Sequence, residues 1–156
     1  MAIQRKITPF IMYNDQAEEA MQFYTAVFPN SRVVSTIPGP RGKVMGGTFE
    51  LDGERFSCYN AGPHPNFEFS QGISFMIHVE TQEEVDHYYD KLSEGGEKQP
   101  CGWVADKFGV SWQVTPTILM KAISDPKTAG PATEAMLKMH RIIIADIEAA
   151  AASSQE

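Results

Sequence analysis

The chain has 156 residues, with 13 Lys and Arg against 20 Asp and Glu for a formal net charge of −7, so it lacks the basic surface that nucleic-acid binding demands. Its length suits a single domain of the usual ~100–200 residues, and 42% hydrophobic with 21% charged residues is a folding composition. No run approaches the ~18 consecutive apolar residues of a membrane helix, and Met1-Ala2-Ile3-Gln4-Arg5-Lys6 leads into no apolar leader core; no membrane partner and a cytoplasmic location are expected.

Ile7 to Tyr13 reads as a buried strand, and Asp15 followed by Glu18 as a capping pair that opens a helix. Ala20, Phe23, Tyr24, Val27 and Phe28 then fall on one helical face before Pro29 closes it. Short strands follow at Arg32–Ile37, Val44–Leu51 and Arg55–Asn60, the last two joined across the hairpin dipeptide Asp52-Gly53. Ala61 to Gly72 is a linker rich in Pro, Gly and Asn that carries two aromatics, Phe67 and Phe69, expected to be buried or to face a pocket.

The pattern then repeats. Ile73 to Val79 is a strand, Thr81 with Glu84 a capping box, and Val85, Tyr88, Tyr89 and Leu92 a stripe before Gly95-Gly96. Strands are expected near Glu97–Gln99, Gly102–Ala105 and Val110–Thr115. Phe10 with Phe75, Glu18-Glu19 with Glu83-Glu84, and Tyr24 with Tyr89 share an offset of 75 − 10 = 65. Two βαβββ units follow: module one over 3–60, a linker over 61–72 and module two over 73–115. Pro116 starts a short helix to Ser124, and Pro131 starts a longer one with Met136, Met139, Ile143 and Ile147 on a face that Ile142 and Ile144 widen. These C-terminal helices occupy 116–150, with fraying expected from Ala149.

Ile7-Thr8-Pro9-Phe10, Ala17-Glu18-Glu19-Ala20 with Phe23-Tyr24, Phe49-Glu50-Leu51-Asp52-Gly53, Glu83-Glu84-Val85-Asp86, Cys101-Gly102-Trp103 with Asp106, and Phe108-Gly109-Val110-Ser111-Trp112-Gln113 before Pro116 resemble one family. It is the PhnB-like group, called 3-demethylubiquinone-9 3-methyltransferase-like, within the vicinal oxygen chelate superfamily of glyoxalases, bleomycin resistance proteins and dioxygenases. The resemblance spans residues 3 to 116, and Met136-Leu137 to Ala149 looks similar too. It implies an α+β fold in one domain: two βαβββ modules forming a curled mixed-sheet cup, helices outside, and commonly a homodimer. For the dimer, Met139, Ile142, Ile143 and Ile144 offer a broad apolar face.

Metal-using members of that superfamily ligate an ion through His and Glu on the first and last strand of each module. The corresponding places here are Thr8 or Pro9, Ser74 (9 + 65 = 74), Ser57 or Cys58, and Gln113. Neutral hydroxyl and amide groups are weak donors for a transition metal, so no metal and no cofactor are expected. Period-two alternation puts Ser74, Met76 and His78 on one face of their strand, and Ser111 and Gln113 on the same side of theirs, with Trp112 in the core. Which of Ser57 and Cys58 faces the cup turns on a one-residue register.

His64, His87 and His140 read as solvated surface groups, while His78 is the candidate general base. Cys58 and Cys101 are too few for a disulfide framework and lack metal or redox spacing. With no electropositive neighbour in sequence, both read as reduced, unreactive thiols. There is no G-x-G-x-x-G for a dinucleotide or methyl-donor loop, no phosphate loop around Gly39–Lys43, and no nucleophile elbow at Ser74 or Ser111. The expectation is a small-molecule ligand held by Thr8, Ser57 or Cys58, Ser74, Met76, His78, Ser111 and Gln113. The alternatives are a divalent-metal lyase, isomerase or dioxygenase with a ligand set that includes His78 and Glu80, and, below both, methyl transfer.

Overall fold

The computed structural model describes residues 5–63 and 67–153; His64 lies outside them. The chain falls into two compact units, Met1–Glu68 and Phe69–Glu156.

The first unit runs β1 (Phe10–Tyr13), α1 (Ala17–Val27), β2 (Arg32–Pro38), β3 (Val44–Leu51) and β4 (Glu54–Asn60), its sheet ordered β1-β4-β3-β2. β1 lies parallel to β4 and the other pairings are antiparallel. Ile11, Tyr13, Phe49, Leu51, Phe56 and Cys58 are buried together with Ala17, Ala20, Met21, Tyr24 and Val27 of α1. Phe49 stacks between Tyr24 and Phe56, with centroids 6.0 and 5.4 Å away. Asp52 and Gly53 both take positive φ, 49° and 84°, the signature of the primed turn that the hairpin dipeptide announces.

The second unit repeats this order with β5 (Phe75–Val79), α2 (Gln82–Leu92), β6 (Glu97–Lys98), β7 (Trp103–Ala105) and β8 (Ser111–Pro116), its sheet running β5-β8-β7-β6. β5 is parallel to β8, and β6, β7 and β8 pair antiparallel. The stripe Val85, Tyr88, Tyr89 and Leu92 is buried as its spacing predicts. Thr81 caps α2 by accepting from the Glu84 amide, and Glu84 returns a bond from the Glu80 amide. Two four-stranded mixed sheets with their helices make this an α+β fold of paired βαβββ units.

Beside a first strand that begins only at Phe10 and leaves Ile7 86% exposed, four expectations change. The cap of α1 comes from the end of β4: Asn60 Oδ1 accepts from the Ala17 amide at 2.8 Å, and the residue that precedes the helix, Gln16, makes no side-chain cap. The stripe of α1 is rotated toward Ala17 and Met21, leaving Phe23 half-buried. Phe67 is half-buried, whereas Phe69 is 38% exposed.

The fourth change is at the C-terminus, where the single long helix is two. After α3 (Thr117–Ser124), α4 (Ala129–Leu137) and α5 (Ile144–Ser153) are separated by 138–143. That break is held from outside: the amides of Cys101 and Gly102 donate to the carbonyls of Met139 and His140, and Gln82 bonds both the Ile142 carbonyl and the Ile144 amide. Arg141 binds Asp86 and Asp90 and lies over the Tyr89 ring. Ile142 is therefore buried with Leu119, Ala122, Ala132 and Ile147, so the face proposed for a partner is partly spent inside this unit. α5 stays helical through Ser153.

Candidate functional site

Each sheet has one helix-covered and one open face, and strand register decides which side chains reach the open one. In the first unit Ser57 pairs with Phe10 in the parallel ladder and with Thr48 in the antiparallel one. The Thr48 and Ser57 hydroxyls lie 3.3 Å apart. Cys58 points the other way and is fully buried against the Ala17 carbonyl. Burial pushes its thiol up to about 11, so the open register resolves to Ser57 and removes Cys58 from the candidate set.

Arg55 pairs with Glu50 across the hairpin on this same face, with Arg32 on the other side of Glu50. The Arg55 hydrogen bond, with Arg32 adding to it, holds the Glu50 carboxyl below the usual carboxylate range. A cavity of about 560 Å³ opens here, lined by Thr8, Thr48 and Ser57 with Ile7, Pro9, Glu50 and Arg55, and by the Arg5–Glu54 ion pair with Gly53. Sequence reasoning reached Thr8 and Ser57. Thr48 and the Arg55–Glu50–Arg32 cluster were missed, although the Asp52-Gly53 turn fixes their pairing.

In the second unit Met76 pairs with Gln113, and Gln113 with Trp103. His78 pairs with Thr115 and is exposed. Gln113 Nε2 donates to Ser74 Oγ at 2.9 Å, so these two candidates meet. Ser111 is nearly fully buried at 3% exposure, which leaves it little surface for a ligand. Trp112 is core, its ring 5.3 Å from Phe75 and its indole N–H donating to Asp106 Oδ2 at 2.9 Å. Trp103 is half-buried on the open face, and sequence reasoning gave it no role.

The first strands correspond one residue differently from the identities, while α1 and α2 keep the offset of 65. Phe10 and Phe75 match at offset 65, yet Phe10 is 57% exposed on the open face and Phe75 packs on Trp112. Aligning faces instead gives Phe10 with Met76 and Thr8 with Ser74, an offset of 66. The first- and last-strand places are then Thr8 and Ser57 in one module and Ser74 and Gln113 in the other. A hydroxyl or amide occupies each, a donor set that does not suit a transition metal. Among the described residues no three of His, Cys, Asp and Glu converge. Glu80 accepts from Thr117 Oγ1 at 2.8 Å, and His87 and His140 are exposed.

The family model described as 3-demethylubiquinone-9 3-methyltransferase matches residues 5–115, ending one residue before β8 does and leaving α3 to α5 outside it. Among solved structures the chain is similar to the PhnB protein of Bacillus cereus, at 38% identity and a TM-score of 0.66 over 72% of this chain and 99% of that one. A protein of Pseudomonas aeruginosa, PA1353, shares the fold at 22% identity and a TM-score of 0.58, over 72% and 98% of the two chains. So does the fosfomycin resistance protein FosX of Listeria monocytogenes, solved with Mn(II) and sulfate, at 16% identity and a TM-score of 0.53 over 70% and 89%. No curated protein matches the chain.

Proposed function

We propose that this chain, which belongs to the 3-demethylubiquinone-9 3-methyltransferase family, binds a small organic molecule on its open sheet faces without a resident metal. The observation that carries this reading is the cavity of about 560 Å³ beside Thr8, Thr48 and Ser57, within the ~300–1,000 Å³ of ordinary ligand sites. Hydroxyls, two guanidinium groups and two carboxylates beside Ile7 and Pro9 suit a ligand with a compact polar end and an apolar body. Ser74, Met76, His78 and Gln113 offer a comparable mixture on the other sheet, with His78 as the candidate base if the ligand is also turned over. No helix of the described residues is long and apolar enough to cross a membrane, and two free thiols fit the reducing cytoplasm. A homodimer would draw on the exposed Ile7, Ile73 and Leu137.

The second reading is divalent-metal chemistry, favoured by the Mn(II) in FosX on the same fold. It needs ligands other than Thr8, Ser57, Ser74 and Gln113. Methyl transfer, the activity in the family's description, ranks below both because the sequence carries no glycine-rich methyl-donor loop.

Metal analysis of protein purified without chelator or metal column, followed by a thermal-shift screen of small organic molecules, tests the proposal. The expected result is substoichiometric metal and a ligand that raises the melting temperature, with the shift reduced in Ser57→Ala and Gln113→Ala. About one Mn, Fe, Ni or Zn per chain, or S-adenosylmethionine binding by calorimetry, would overturn it. Light scattering at micromolar concentration reads the dimer, and a monomer mass removes it.

A further inference from the structure

The charged side chains of the first sheet gather at one end of its open face, and the strand register puts them in rows. Ser35, Thr48, Ser57 and Phe10 form one row across four strands, and Arg32, Glu50 and Arg55 form the next, two residues or ~7 Å farther along the strands. The Ser57 amide donates to the Pro9 carbonyl at 2.9 Å, which carries the parallel pairing back past Phe10. Thr8, Pro9, Arg55 and Ser57 consequently line the same cavity of about 560 Å³. One wall of it is charged, one bears hydroxyls, and Ile7 with Pro9 makes a third that is apolar.

The charges there do not cancel. Glu50 is shared by two guanidinium groups, Arg55 donating Nη2 to Oε1 at 2.8 Å and Arg32 donating Nε to Oε2 at 3.3 Å, and Glu54 pairs with Arg5. Three cations against two carboxylates leave one positive charge at this end, in a chain whose formal net charge is −7. Both carboxylates are already engaged, whereas the guanidinium of Arg55 is not used up. It carries five N–H donors, and among the described residues it commits one nitrogen, to Glu50, with 46% of the side chain still exposed. The hydroxyls add to this: Thr48 and Ser57 lie 3.3 Å apart, so one donates to the other and the second keeps its hydrogen for a ligand. The pull of Glu50 also holds Arg55 in place, which lowers the ordering cost of a further contact.

We infer that this cavity takes a small organic acid, its carboxylate bound between the Arg55 guanidinium and the Thr48–Ser57 hydroxyl pair and its apolar body against Ile7 and Pro9. This rests on the small-molecule reading above and narrows it to a ligand class. A single carboxylate matches the single uncompensated charge, and hydrogen bonds from a guanidinium to a carboxylate are roughly twice as strong as those between neutral groups. An amine of the same outline would meet the free donors of Arg55 and two carboxylates that are already paired.

The test titrates the full chain with hexanoate, hexanamide and hexylammonium, which share one apolar body and differ in the charge of the head, followed by 15N NMR at neutral pH and low salt. The expected result is that hexanoate moves the Arg55 Nε–H signal and the Thr48 and Ser57 amide signals, and binds about fivefold or more tighter than hexanamide, with hexylammonium the weakest. Raising the salt from about 0.01 to 0.15 M, which shortens the Debye length from ~30 to ~8 Å, should narrow that preference. Arg55→Gln should bring hexanoate down to the level of hexanamide, and Arg55→Lys should keep part of the difference. An unchanged hexanamide affinity in both variants reports a cavity that is still folded. Equal affinity for hexanoate and hexanamide, tighter binding of hexylammonium, or a hexanoate preference that survives Arg55→Gln overturns the inference while leaving small-molecule binding in place. If hexanoate fails to bind but the thermal-shift screen returns another ligand, the carboxylate site falls alone. If no organic molecule raises the melting temperature, both readings fall.

Discussion

Asp106→Asn changes one buried group by one atom, and its expected cost follows from three hydrogen bonds. Asp106 is 3% exposed. Its Oδ1 accepts from the amides of Phe108 and Val110 at 2.9 and 3.0 Å, and its Oδ2 accepts from Trp112 Nε1 at 2.9 Å. The carboxylate thereby shapes the turn that launches β8 and pins the core tryptophan beneath the open face. Asparagine can keep its oxygen on the two amides, but its Nδ2 then meets the indole N–H, donor against donor. Flipping the amide leaves two backbone donors facing Nδ2 instead, which is worse.

A hydrogen bond to a charged group contributes ~1.5–3 kcal/mol, against ~0.5–1.5 for a neutral one, and a buried donor left without an acceptor costs ~1–3 kcal/mol. Weakening two bonds and losing the third therefore amounts to about 3 kcal/mol. For a chain of this size that lowers the melting temperature by about 6–12 °C, at roughly 2–4 °C per kcal/mol. Urea denaturation of the wild type, Asp106→Asn, Trp112→Phe and the double variant closes the cycle. With the indole N–H already gone, Asp106→Asn should cost about 1–2 kcal/mol less. A wild-type-like Asp106→Asn, or a cost unchanged in the Trp112→Phe background, would refute the argument that this carboxylate works as an acceptor for Trp112.

Three further outcomes follow from side-chain placement. At pH 8 a thiol reagent should label one cysteine of the native chain, Cys101, and two after denaturation, because Cys58 is fully buried and its thiol is pushed up to about 11 by desolvation; rapid labelling of both in the folded state contradicts this. Arg141→Ala should cost about 1–2 kcal/mol by urea denaturation, since it removes the ion pairs to Asp86 and Asp90 and the contact with Tyr89. Partial burial would raise the Asp90 carboxyl, but Lys98 and Arg141 together hold it below its ordinary value. Its contribution is thus present above the ordinary carboxylate pKa of ~4 and lost as pH falls through the lower folded value, so the Arg141→Ala penalty should shrink below about pH 4. Phe75→Ala should cost about 2 kcal/mol and Phe10→Ala under about 1, because Phe75 packs on Trp112 while Phe10 is 57% exposed; equal costs would mean the two occupy equivalent places.

That last pair shows where legibility in the sequence stops. The element order, the α2 stripe and the Asp52-Gly53 turn were readable because each rests on local chemistry: 3.6-residue spacing, a capping hydroxyl, two residues that tolerate positive φ. The same locality failed at α1, whose cap is Asn60, 43 positions from the amide it accepts. It failed again at the C-terminus. The apolar spacing from Met136 to Ile147 is helical, but Arg141 and Gln82 bind this stretch across to α2, and the backbone at Met139 and His140 turns to pair with Cys101 and Gly102.

For the candidate site the decisive quantity is register, which has a period of two and carries no local signature. An identity match at Phe10 and Phe75 put β1 one residue out against β5, though the helices keep that offset, and one residue is enough to exchange core and open faces. In the second module alternation alone assigned Ser74, Met76, His78 and Gln113 to one side, because Trp112 and the odd-numbered apolar residues of β5 left a single consistent choice. In the first module Ser57 and Cys58 are both small and weakly polar, and neither declares a side. Trp103 was illegible for another reason: β7 is three residues long, and only its pairing with β8 shows that its indole lies with Gln113. Tests of the site should therefore start at Trp103 and Ser57, where the sheet adds what the sequence left open.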